Sequence, residues 1–121
     1  MPLWNEVLVI LNEEPLFLEN AIVEKTVIDE KNYSFKIRST IKDNLFFQIR
    51  FRQIDDQVRY SYQLFSNKPI LRWDNSPHFP GLENFPHHFH DEADSTKPSK
   101  LTGDIFVDLN IVLGEIKKYC D

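Results

Sequence analysis

Three consecutive segments alternate apolar and polar side chains with a period of two, separated only by short Asp-rich breaks. In 33–42 (YSFKIRSTIK), Tyr33, Phe35, Ile37 and Ile41 alternate with Ser34, Lys36, Arg38, Thr40 and Lys42. In 45–54 (LFFQIRFRQI), Leu45, Phe47, Ile49 and Phe51 alternate with Phe46, Gln48, Arg50 and Arg52, and in 58–65 (VRYSYQLF), Val58, Tyr60, Tyr62 and Leu64 alternate with Arg59, Ser61, Gln63 and Phe65. A strand turns successive side chains to opposite faces, so this pattern fits half-buried strands and no helix. Asp43-Asn44 and Asp55-Asp56 are the right residues and length for hairpin turns. The chain must therefore fold around an antiparallel meander with one apolar and one polar face.

The flanks complete an α+β architecture. Residues 21–29 (AIVEKTVID) read as a first strand turning near Lys31-Asn32, and 69–73 as a last one, with Pro69 at its head where a strand tolerates proline. The sheet region is 16–74, with four or five strands. Before it, Leu3, Val7, Ile10 and Leu11 recur at helical spacing, which predicts a short helix within 1–15, closed before Pro15. After it, 75–101 is rich in histidine and proline and reads as an irregular loop. Residues 102–121 form a second helix, capped by Thr102, with Ile105, Leu109, Val112, Leu113 and Ile116 as the stripe that covers the apolar sheet face and Lys117-Lys118 at its end. At 121 residues with no internal repeat, one domain is expected.

Composition narrows the function. A formal charge of −5 opposes indiscriminate coating of nucleic acid, which needs a surplus of Lys and Arg at the contact. A lone Cys120 allows neither a disulfide framework nor a cysteine zinc site within one chain. No apolar run reaches membrane-span length and the N-terminus has no basic n-region, so a cytoplasmic location is expected.

Against that acidic background the polar sheet face is basic: Lys36, Arg38, Lys42, Arg50, Arg52 and Arg59 fall on it, while Asp43, Asp55 and Asp56 lie in turns. Such a face can track a phosphodiester backbone, or it can be a solvated face whose charges keep strands from pairing. All four histidines, His78, His87, His88 and His90, lie within thirteen residues broken by Pro80 and Pro86. Imidazole changes charge near neutrality, which suits general acid–base work. Metal-free RNA cleavage needs a base, an acid and a cation, roles open to His78, one of His87, His88 or His90, and Arg72. A second use is metal binding: His88 and His90, two apart in an extended chain, point the same way, with His78 or Asp91 as third ligand. In a third, the imidazoles bond carbonyls and clasp the loop to the sheet. Asp74 and Asn75 suit the turn after the last strand, and Asp74 can also orient a histidine. Trp73 reads as core.

The blocks YSYQL (60–64), LRWDNSPH (71–78), NFPHHFH (84–90) and PSKLTGDI (98–105) resemble the TumE family of small toxins from prokaryotic toxin–antitoxin pairs. The resemblance runs over roughly residues 20–118 and is most specific at 60–90. It implies a strand-rich region ending in a C-terminal helix, and growth inhibition through action on RNA, opposed by a cognate antitoxin with a DNA-binding domain. Carried over by motif are Arg72, Asp74, Asn75, His78, His87, His88 and His90. Phe79 departs from a pattern in which many relatives carry a second histidine after His78.

The expectation is a toxin acting as a metal-independent endoribonuclease without a cofactor. His78, His87, His88, His90, Arg72 and Asp74 would form its catalytic set. Lys36, Arg38, Arg50, Arg52, Arg59 and Asn75 would contact RNA. The alternatives are a non-catalytic protein-binding module with a structural histidine loop, or a histidine metal site.

Overall fold

The computed structural model describes residues Met1–Asp121. In chain order it contains α1 (Leu3–Asn12), β1 (Glu19–Asp29), β2 (Asn32–Lys42), β3 (Leu45–Ile54), β4 (Gln57–Phe65), β5 (Pro69–Asp74), β6 (His88–His90), β7 (Thr96–Pro98) and α2 (Ile105–Cys120). The strands form one antiparallel sheet in sequence order, β1 to β7. No helix is long and apolar enough to cross a membrane.

The predicted turns form where the residues allow them: Asn44 and Asp55, at φ 60° and 53°, adopt the left-handed conformation that Asn and Asp tolerate better than most residues. The alternation then sorts side chains by face. Phe35, Ile37, Phe47, Ile49, Phe51, Tyr60, Tyr62, Leu64 and Trp73 are buried in one cluster with Val7 and Leu11 of α1 and the predicted stripe of α2. Phe47 is fully buried, which is worth on the order of 2–3 kcal/mol for one side chain. Lys117 of α2 reaches Glu14 beyond the end of α1 at 2.9 Å.

Two details differ from expectation. The cap of α2 is Asp104, whose carboxylate accepts from the Phe106 and Val107 N–H groups. Thr102 instead donates its hydroxyl to buried Asp108, which also accepts the N–H groups of Thr102 and Gly103 and so pins the loop to the helix. The sheet has seven strands rather than four or five, because residues 75–101 contribute β6 and β7. These strands have three residues each, too few for an alternation to be read. Pro86 precedes β6, and Pro98 sits in the edge strand β7, where a sheet tolerates a residue without an N–H.

Candidate functional site

The register between β5 and β6 builds the site. Asp74 lies opposite His88, Trp73 opposite Phe89 and Arg72 opposite His90. Alternation sends Trp73 and Phe89 to the core side, where their rings pack at 5.0 Å, and Arg72, Asp74, His88 and His90 to the polar side. Asp74 is the centre of this group, with its side chain only 5% exposed. Its Oδ2 accepts from Arg72 Nε at 2.8 Å, and its Oδ1 accepts from the Ser76 N–H at 3.0 Å. The Nε2 atoms of two imidazoles face the same carboxylate, His88 at 3.0 Å from Oδ1 and His90 at 3.9 Å from Oδ2.

The far side of each ring is also held. His88 Nδ1 lies 3.1 Å from the Pro86 carbonyl, which can only accept, so this nitrogen carries the proton. His90 Nδ1 faces Asp94 at 3.7 Å and the Thr96 hydroxyl at 3.5 Å. Phe79 closes the group by setting its ring edgewise against His88 and His90, at 4.9 and 6.1 Å. Burial pushes the Asp74 carboxyl up, but Arg72, the Ser76 N–H and His88 outweigh it and hold the group below the ordinary carboxylate range. Burial, reinforced by His88, holds His90 below the ordinary imidazole value.

The four histidines therefore do different things. His88 is buried and His90 partly so, side by side at 4.9 Å between ring centres. His78 is exposed and lines the same cleft of about 630 Å³, with its ring against Phe79. His87 leaves the group entirely. One residue before His88, it faces the core side, pairs through Nδ1 with the Tyr60 hydroxyl at 2.7 Å, and is held below its ordinary pKa by burial. Asp91, a possible third ligand in the sequence reading, is bound instead to Lys97 at 2.8 Å and to the Ala93 and Ser95 N–H groups. Asn75 is buried, with its amide bonded to the Val58 carbonyl and the Tyr60 N–H of β4. It extends the sheet pairing.

The basic residues are arranged as the alternation predicts. Arg38, Arg50, Arg52 and Arg59 are exposed and none is paired with an acid, whereas Lys36 meets Glu24 at 3.3 Å. Arg38 bonds Gln48 and lies over the Phe65 ring. Arg59 reaches the Asn75 carbonyl at 3.4 Å. A second cleft of about 530 Å³ runs among Lys36, Arg50, Arg52 and Arg59, and it shares Arg72 and Ser76 with the first. Sequence reasoning missed Ser76 and the Pro86 carbonyl, because backbone groups leave no trace in residue type. It also missed Asp108, although an acid within the stripe 105–109–112–116 was a readable signal.

A family model described as Toxin TumE matches residues 7–119, which takes in the sheet, all of α2 but its last residue and every residue of the Asp74 group. No curated protein and no solved structure matches. The match extends over nearly the whole chain, so the protein belongs to the TumE toxin family, and that membership implies an antitoxin partner.

Proposed function

We propose that this toxin acts on RNA, which lies along the basic face and is cut at the cleft edged by Asp74, His88 and His90. One observation carries the reading. Lys36, Arg50, Ser61, Asp74 and His88 stand opposite one another in register across β2 to β6, so one row leads from the cations to the Asp–His group. Five strands at their usual spacing make that row about 19 Å long, and cations along it would hold successive phosphates. The antitoxin, with a DNA-binding domain, would oppose the activity.

Without a cofactor, the reaction would be transfer of the phosphate to the neighbouring 2′-oxygen. His90 would take the 2′-hydroxyl proton as that oxygen bonds to phosphorus. The bond to the 5′-oxygen would break, and His78 in its protonated form, which lines the same cleft, would give the leaving oxygen its proton. Arg72, whose Nε holds Asp74 while its side chain is 41% exposed, would face the developing phosphate charge. His88 is too enclosed to meet substrate and would position Asp74. A second reading is favoured by the convergence of two Nε2 atoms on one carboxylate, which is also the arrangement of a cation site.

The test is induced expression with and without the antitoxin, scored for growth and RNA integrity, beside purified chain incubated with total RNA. RNA degraded in cells without the antitoxin, spared in cells with it, and degraded by the purified chain supports the proposal. RNA that stays intact while growth stops removes it, in favour of a protein-binding module.

A further inference from the structure

We infer that Asp74, His88 and His90 form a three-ligand site for a first-row divalent cation, with Zn²⁺ the best fit to the donors. The site rests on its own geometry, and only its use in cleavage rests on the RNA reading. One atom from each residue, the two imidazole nitrogens and a carboxylate oxygen, lies within 4.8 Å of the others. Ligands about 2.1 Å from a tetrahedral ion stand about 3.4 Å apart. The nitrogen-to-oxygen distances, 3.0 Å from His88 to Oδ1 and 3.9 Å from His90 to Oδ2 of the same carboxylate, lie on either side of that value.

The surroundings are those of ligands. Proton on Nδ1, bound to the Pro86 carbonyl, leaves His88 Nε2 with a free lone pair in its neutral form, aimed at Asp74. Asp94 stands 3.7 Å behind His90 Nδ1, and a small movement of this exposed side chain would make the carboxylate–imidazole pairing that orients a metal-binding histidine. Arg72 and Ser76 each occupy one lone pair on a different oxygen of Asp74, which fixes the carboxylate and leaves each oxygen a second lone pair. With both imidazoles neutral, four electron-rich atoms face one another in a largely enclosed place, and a cation in their midst would take the place of a proton on His88 Nε2. All three residues sit on paired strands, which hold them more rigidly than a loop would.

The donor set selects the ion. Two imidazoles and one carboxylate suit Zn²⁺, Mn²⁺ or Fe²⁺, whereas Mg²⁺ and Ca²⁺ favour oxygen-only sites. Three protein ligands leave a position open toward the cleft for water or a phosphate oxygen. In that form His90 is a ligand and not the base of the cofactor-free scheme.

The experiment uses untagged full-length chain, stripped with chelator and titrated with ZnCl₂ by calorimetry, with CoCl₂ absorption as an independent readout. The expected result is about one equivalent of Zn²⁺ and a visible Co²⁺ spectrum of low coordination number. Asp74→Asn and His90→Gln should each lose more affinity than the roughly 10–100-fold typical of supporting hydrogen-bond partners. His87→Gln should bind like the parent, and circular dichroism confirms that each variant is folded. Binding below a tenth of an equivalent by folded parent chain, or equal binding by folded His90→Gln, overturns the site. Cleavage that survives chelator with no Zn²⁺ bound would leave the RNA reading standing and the site refuted. Zn²⁺ bound with RNA intact would do the reverse.

Discussion

The two faces of the sheet use the same strands for different ends. On the core face, Phe35, Phe47, Phe51 and Tyr62 pack in one buried cluster with both helices. On the other, Arg50 and Arg52 project from the same β3 into solvent, and Asp74, His88 and His90 continue that face at its far end. The division runs down to neighbouring residues. His87 stacks on Tyr60 on the core side, while His88, one residue on, meets Asp74 on the other. Identity of side chain says little about role here; the parity of its position in a strand says more.

That contrast predicts that stability and function separate by face. The largest effect belongs to the core. Phe47→Ala should lower unfolding free energy by about 3–5 kcal/mol in denaturant titration, whereas Arg50→Ala should stay within about 0.5 kcal/mol. A comparable loss from Arg50→Ala would show that the polar face also carries the fold.

The histidine pair comes next. His88→Gln should reduce toxicity, scored as plating efficiency under induction, by about 100-fold, and His87→Gln by less than about threefold. The reverse order would move the site to the core side, beside Tyr60.

A smaller effect is expected from the basic strip. Arg50→Gln with Arg52→Gln should weaken RNA binding and reduce the slope of log affinity against log salt by about 1.4, two contacts on a single strand. An unchanged slope would return this face to the role of a solvated surface.

The smallest effect appears only in alkali. Burial pushes the Tyr60 and Tyr62 hydroxyls far above their ordinary value near 10. A raised folded-state pKa means that this contribution is fully present below about pH 10 and is lost as pH rises beyond it. Tyr62→Phe should therefore unfold like the parent at neutral pH and lose stability less steeply above pH 10.

Much of the molecule is legible in its sequence. The meander, its turns, the α2 stripe and the shared face of Arg38, Arg50, Arg52 and Arg59 all follow from alternation or helical spacing. These are local regularities that adjacent residues impose on one another. Asp74 as the orienter of a histidine was also legible as a possibility. Its partner was not.

What the sequence by itself determined, then, is which side chains share a face within each long strand, because the pleat fixes that over a few residues. Only the tertiary structure decided that three-residue β6 pairs with β5 so that His88 falls opposite Asp74. A slip of one residue would place His87 or Phe89 there and send both His88 and His90 to the core. That register depends on Phe89 packing against Trp73, and on Pro86 and Ser76 presenting backbone groups to His88 and Asp74. The Trp73–Phe89 contact joins separate segments of the chain, and the other two come from backbone groups two residues away, so residue type alone does not record them.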